Sequence, residues 1–407
     1  PNGAKRSMPN GANRIVPGRA KPTMTSPLPG AEPGLYLDAN ATEALRPEAR
    51  EAVLAAFDLV GNPASVHADG RAARKLLESA RAALAARLGA RPENVVFCAG
   101  ATEANAMAIH GLAGGGAIVI GATEHDAVRA AAPAALIAPV DAAGRLDQTA
   151  FAALLAAHRP ALACVMAANN ETGVLNDIAA IAALCAAQGT RLHVDAVQAA
   201  GRVADPDYLA QGASSVATSA HKLGGPKGVG ALLLAPEAAS AFAPLIRGGG
   251  QERGRRGGTH NLPGIAGFAA ALDAAHATTC PDPRLAALRD AIEAGARDCG
   301  ARIAGAGAPR LPNTTCLVLP GLAAEAQVIA LDLDGIRVSA GSACSSGKAA
   351  SSHVLAAMGL GDLAGNAIRV SLPWNAPDDA PARFLAAYRR LAARALRKSA
   401  HVSTSAA

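Results

Sequence analysis

From residue 50 onward the chain alternates two kinds of apolar pattern. In REAVLAAF (50–57), AARKLLESARAALAARLG (72–89) and DIAAIAALCAAQG (177–189) the apolar positions recur three or four residues apart, which predicts helices with one buried face. Between and after them lie short apolar runs: NVVFCAG (94–100), GAIVIGA (116–122), ALACVMAA (161–168), RLHVDAV (191–197), SSVATSA (214–220) and GALLLA (230–235). Each closes on polar or glycine-rich residues, and these runs predict strands. Strand and helix in alternation imply an α/β fold with a mostly parallel sheet wrapped by helices, whose ligands sit at the carboxyl ends of the strands.

After about residue 275 the pattern changes. Helical spacing in RLAALRDAIEAGARDCG (284–300), EAQVIALDLDG (325–335), SSHVLAAMG (351–359) and ARFLAAYRRLAARALR (382–397) alternates with strand-like TTCLVLPG, IRVSAG and AIRVSL. This predicts a smaller α+β domain over 275–395 beside a large domain over 51–274. Residues 1–33 are rich in Pro, Gly and Asn without periodicity and read as a disordered basic tail, and 396–407 as a second disordered tail. No repeat of solenoid length occurs.

Charge changes the picture little. The formal net charge is +6, but Lys5, Arg6, Arg14, Arg19 and Lys21 precede the first acidic residue, Glu32, so the body is nearly neutral. With 2% aromatic residues and no basic run in the body, nucleic-acid binding finds no support. The leader lacks an apolar h-region, so no secretory signal is expected. Apolar stretches such as 152–168 are broken by Arg, His or Pro before they reach bilayer length, so no membrane span is expected either. The seven cysteines form no CxxC pair, which speaks against a zinc cluster and fits a reducing, cytoplasmic setting. Cys98, Cys164, Cys185 and Cys316 lie in or beside apolar runs and read as buried packing residues. Cys344, in GSACSSGK, has only small residues around it and asks for a chemical reason.

The strand ends supply one. Thr102 and Glu103, Glu124 and His125, Asn169 to Glu171, Asp195 and Gln198, then Ser219, His221 and Lys222 follow successive strands and predict a ring of polar groups around a crevice. Lys222 directly follows a strand, with Ser219 and His221 before it and a glycine-rich turn after it; a phosphate-binding GxxxxGK[ST] loop is absent. A catalytic and a solvated lysine are both open on this local sequence. Asp195 closes a central apolar run, where a carboxylate needs a cationic partner. A structural salt bridge would provide one, and so would the pyridinium nitrogen of pyridoxal phosphate with Lys222 as its covalent anchor.

Ten ordered stretches carry a resemblance: YLDANAT (36–42), GNPASVHADGRAAR (61–74), CAGATEANAMAIHG (98–111), TEHDAV (123–128), ANNETGVLNDI (168–178), HVDAVQAAGR (193–202), SAHKLGGPKGVGAL (219–232), GGGQERGRRGGTHN (248–261), RLPNTTC (310–316) and GSACSSGKAASSHVLAAMG (341–359). Together they resemble the cysteine desulfurases, fold-type I pyridoxal phosphate enzymes of the class V aminotransferase family. The resemblance implies a seven-stranded sheet in the large domain, with residues 34–50 joining the small one. It implies that Lys222 anchors pyridoxal 5'-phosphate, Asp195 contacts its ring nitrogen, His125 stacks on the ring and moves protons, and Gln198 reaches the ring hydroxyl. Ala101, Thr102, Ser219 and His221 would hold the phosphate, with Thr259 reaching in from the second subunit of a homodimer. Asn170 would serve both cofactor and substrate, and Arg369 would grip the carboxylate of L-cysteine.

By the same resemblance Cys344, on a loop over 340–352, takes sulfur as a persulfide, passes it to an iron-sulfur scaffold or another acceptor protein, and serves as a transient iron-sulfur ligand. The wording of the loop leans towards the NifS branch that serves nitrogenase. A related lyase or aminotransferase, such as a selenocysteine lyase, is the alternative. One departure is Pro373, in RVSLPWN, where relatives commonly carry glycine.

Overall fold

Strand runs without polar interruptions need cover on both faces, and the computed structural model of the protein supplies it. It describes residues 34–204, 207–277, 280–341 and 351–405, the last eleven by backbone alone. Thirteen strands occur among them: β1 (Leu35–Tyr36), β2 (Val95–Cys98), β3 (Ile118–Gly121), β4 (Leu136–Ala138), β5 (Leu162–Met166), β6 (Arg191–Asp195), β7 (Ser215–Ser219), β8 (Gly230–Leu234), β9 (Arg302–Ala304), β10 (Thr314–Val318), β11 (Ile336–Arg337), β12 (Ser339–Ala340) and β13 (Ala367–Ser371). The six runs read as strands in the first 235 residues are β2, β3, β5, β6, β7 and β8.

The central sheet has seven strands in the order β2-β8-β7-β6-β5-β3-β4. The strands from β7 to β4 run parallel, and β8 is antiparallel to both of its neighbours. Side chains alternate faces along each strand. Val95, Phe97, Ala163, Val165, Leu192 and Val194 enter a core with the helices Ala68–Arg87, Gln148–His158, Ile178–Ala187 and Leu262–Ala277. Val96, Cys98, Ile120, Leu162, Cys164 and Leu232 face the other way, against helix Ala101–Ala113. The second sheet is antiparallel, β12-β13-β10-β9, with its own core beneath the helices Pro283–Asp298 and Ala380–Ser405. The chain from Leu35 joins this side, because β1 pairs in parallel with β11 and Asp38 bridges to Ser371.

The last helix is described as far as Ser405. Extending a helix already docked through Phe384, Tyr388 and Leu391 adds one hydrogen bond per residue fixed and needs no new nucleus. The 1–33 segment lies outside the described residues.

Strand β2 is at the sheet edge, so its outward backbone groups need partners. Arg81 and Glu252 provide them: Arg81 donates to the Val95 carbonyl (2.7 Å) and the Phe97 N–H donates to Glu252 Oε2 (2.9 Å). The two side chains meet in a buried bidentate pair at 2.7 and 2.9 Å, and His260 Nε2 adds a 2.6 Å contact to Glu252 Oε1. This cluster fastens the glycine-rich 248–261 stretch even though Glu252 and Arg253 adopt left-handed backbone angles.

Breaking such a pair leaves a buried cation uncompensated, so Glu252→Gln is expected to cost about 3–5 kcal/mol in denaturant or thermal unfolding. Burial opposes ionisation of Glu252, yet its bonds to Arg81 and His260 hold its carboxyl down to about 2 from 4.5. Its contribution to stability is therefore full above pH 4.5 and fades as pH falls towards 2. The variant should flatten the stability profile across that window; an unchanged profile would refute the role.

Candidate active site

The carboxyl ends of β5, β6 and β7 lie side by side and deliver Asn170, Asp195 and Lys222 to one crevice. Asp195 is buried; its Oδ2 accepts from Asn105 Nδ2 (2.8 Å) and its Oδ1 from the Val197 N–H (3.0 Å). Both of these donors are neutral. A buried carboxylate that accepts from neutral donors is a fitting seat for a ligand that brings a cationic N–H.

Lys222 ends a short turn (Ala220–Lys222) and is half-buried. Its Nζ donates to the carbonyls of Asn40 (2.6 Å) and Ala41 (3.0 Å), which places it inside the crevice rather than in solvent. Gln198 Nε2 donates to the same Asn40 carbonyl (3.0 Å), while Gln198 Oε1 accepts from Arg202. The enclosed Arg202 also reaches Asn40 Oδ1 (3.0 Å) and Glu43 Oε2 (3.4 Å), so the Gln198 amide is held with its NH2 towards Asn40 and Lys222. Asn40 in turn donates to the Asn170 carbonyl and to Thr314 Oγ1, both at 3.0 Å, and takes up Ser371 Oγ at its own N–H.

Ala101 and Thr102 open the helix Ala101–Ala113, where unpaired backbone N–H groups and the helix dipole favour an anion. Ser219 lies next to this end: a Cβ placed on Gly100 would stand 3.9 Å from its Oγ. His221 touches Thr42 Oγ1 through Nδ1 (3.2 Å), and burial together with neighbouring Lys222 pushes its imidazole down to about 4, leaving it neutral. Thr259 is exposed and lines a surface pocket with Phe57, Val60, Asn62 and Leu262.

On the opposite side His125 caps a one-turn helix (Asp126–Arg129), with Nδ1 accepting from the Ala127 N–H at 3.0 Å. Arg369 meets Asn170 as expected: one guanidinium NH2 group donates to the Asn170 carbonyl (3.2 Å) and the other to Asp38 Oδ1 (2.6 Å). Arg369 Nε is buried without a hydrogen-bond partner, an orphaned donor beside Asn170 that suits an incoming carboxylate. Two ring candidates point elsewhere. Glu103 pairs with Arg256 (2.8 Å) and the Ala99 N–H, and Asn169 spends its amide on its own turn at Glu171 and Thr172. Cys344 and most of its loop lie outside the described residues.

The pattern that defines the Aminotransferase class-V family matches residues 35–379. The chain belongs to the class-V aminotransferase family. A cysteine desulfurase of Cereibacter sphaeroides is 42% identical over 83% of this chain and 90% of its own length. An IscS-like cysteine desulfurase of Mycobacterium tuberculosis is 38% identical over 80% and 87%. In structure, a NifS-like protein from Rickettsia africae superposes with a TM-score of 0.80 at 32% identity, covering 88% of this chain and 99% of that one. The α/β architecture is thus that of the family's fold-type I members, with the sheet read from the sequence.

Asn40, Arg202, Asn105 and His193 border these groups without a role in the sequence reading, and Glu171, one of the ring candidates, lies among them. Glu171 shows why burial matters. Its Oε2 accepts a 2.5 Å hydrogen bond from Ser352 Oγ, and Ser352 caps helix His353–Ala357 through the Leu355 N–H. Burial, only partly offset by Ser352 and Arg369, raises the Glu171 carboxyl to about 7 from 4.5. Between those values the folded chain keeps a proton that the unfolded chain has lost, so this group's contribution falls as pH rises from 4.5 to 7. Glu171→Gln should therefore match the parent near pH 4.5 and exceed it at pH 8 by on the order of 3 kcal/mol in unfolding measurements. Equal stability at pH 8 would refute the assignment.

Proposed function

We propose that this crevice takes sulfur from L-cysteine and hands it on. The protein is an enzyme, a pyridoxal-phosphate-dependent cysteine desulfurase. The observation that carries the assignment of the crevice is the buried Asp195 carboxylate, which accepts from the Asn105 amide and the Val197 N–H, together with the orphaned Arg369 Nε. Bound at Lys222, pyridoxal 5'-phosphate supplies an electron sink next to the substrate α-carbon.

The chain's own residues do the rest. Asp195 would meet the ring nitrogen, Gln198 the ring hydroxyl, and Ala101, Thr102, Ser219 and His221 would hold the phosphate. Asn170 borders both cofactor and substrate, and Arg369 holds the substrate carboxylate with its free Nε. Lys222 would move the substrate α-proton, and His125 would lie against the ring and carry a further proton. The Cys344 thiolate then attacks the substrate sulfur: an S–S bond forms, the Cβ–S bond breaks, and protonation of the carbon skeleton releases alanine.

Four of the other six cysteines are buried, which favours Cys344 as the nucleophile. Burial raises the thiols of Cys98 and Cys185 to about 12 and pushes up those of Cys164 and Cys316 as well, out of reach as thiolates near neutral pH. By family likeness Cys344 also serves as a transient iron-sulfur ligand. A homodimer completes the reading. Phe57 and Val60 are exposed apolar residues that line one pocket with Thr259, and a second copy that covers them would bring Thr259 to its partner's phosphate site. The acceptor is an iron-sulfur scaffold protein, nitrogenase assembly included, and the setting is the cytoplasm. No helix among the described residues is long and apolar enough to cross a membrane.

Anaerobic incubation with L-cysteine is expected to give alanine and, with a thiol reductant, sulfide. Cys344→Ala should abolish both products while the protein stays yellow, and Lys222→Ala should lose the bound-cofactor absorbance. Alanine and sulfide at the parental rate from Cys344→Ala would overturn the persulfide step.

A further inference from the structure

Asp195 stands at the end of a row of hydrogen bonds that runs through the interior. His193 and Asp195 are two residues apart on β6 and therefore share a face, the one covered by helix Ala101–Ala113. His193 Nδ1 lies 2.8 Å from Ser215 Oγ on the neighbouring strand, where the sheet register pairs the two residues. His193 Nε2 lies 2.8 Å from Asn105 Oδ1, and Asn105 Nδ2 donates to Asp195 Oδ2 at 2.8 Å. His193, Asn105 and Ser215 are completely enclosed.

The direction of every bond follows from the partners. A carboxylate only accepts, so the Asn105 NH2 faces Asp195 and its Oδ1 faces His193. Oδ1 only accepts, so His193 must carry its hydrogen on Nε2. Burial pushes this imidazole down to about 3, so it is neutral and holds a single N–H, which leaves Nδ1 to accept from the Ser215 hydroxyl. All three donors thus point towards Asp195, an arrangement in which each bond polarises the next.

We propose that Asn105 and His193 are positioning residues for the cofactor's ring nitrogen: His193 fixes the Asn105 amide, and Asn105 holds the Asp195 carboxyl group aimed at the crevice. Asn105 lies on the same rigid helix whose N-terminus faces the phosphate site. One helix therefore sets both ends of the cofactor seat. The inference rests on Asp195 facing the ring nitrogen, and the test separates the two statements.

The full chain is stripped of cofactor and refilled with pyridoxal 5'-phosphate or with its 1-deaza analogue, in which C–H replaces the ring nitrogen, and affinities are read from absorbance. The parent should prefer the natural compound, and Asp195→Ala should abolish that preference. Asn105→Ala is expected to cut the preference roughly tenfold or more while binding of the analogue stays near parental, the effect of losing one charge-assisted bond. His193→Phe keeps a ring of similar size but frees the Asn105 amide to rotate, and should give a smaller loss in the same direction. It also serves if Asn105→Ala does not fold. If Asp195→Ala keeps the preference, the seat itself is misassigned. If Asp195→Ala loses it while Asn105→Ala and His193→Phe keep it, or weaken both compounds equally, the positioning role is refuted.

Discussion

The site depends on one buried amide, that of Asn40. Its carbonyl takes Lys222 and Gln198, its side chain joins Arg202, Asn170 and Thr314, and its N–H reaches Ser371. These partners come from the ends of β5, β6 and β7 in the central sheet and from β10 and β13 in the second. An amide offers both donors and acceptors, so it can tie carbonyls, hydroxyls and cations in one place, which a carboxylate or an alkyl group cannot. Its neighbours in the chain are placed by β1, a strand of two residues that exists only because β11 is there to pair with it.

Much of this was legible in the sequence. The continuous apolar runs of β2, β5, β6, β7 and β8 are what strands covered on both faces must look like, and the polar residues behind them marked the crevice. Lys222, Asp195 and Gln198 were named that way and Arg369 by resemblance. The short strands were not found, for a physical reason: Leu136–Ala138 lies between Pro133 and Pro139, and Leu35–Tyr36 and Arg302–Ala304 are too brief to show a period. What orders them is tertiary pairing, which local sequence does not carry.

The residues behind the catalytic groups were hidden for a different reason. His193 sits inside RLHVD and Asn105 inside ATEANAMA, where either reads as a polar interruption of an apolar pattern. Only the register of β6 against β7, and the side on which helix 101–113 lies, bring the two together. Glu171 and Ser352 are 181 positions apart and meet only when the two sheets are assembled. Chemistry at strand ends can be read along the chain, whereas the support beneath it requires three dimensions.

The Arg81–Glu252 pair at β2 has a consequence outside the site. An uncovered edge strand of Val95–Val96–Phe97–Cys98 would present apolar side chains and free backbone groups to any passing extended chain. By occupying Val95 O and the Phe97 N–H, the pair makes that edge a dead end for further strand addition. The stretch that supplies Glu252 comes late in the central part of the chain, some 155 residues after Phe97. During synthesis the edge thus stays open until that stretch emerges, and this interval is when the protein is most exposed to association with other nascent chains.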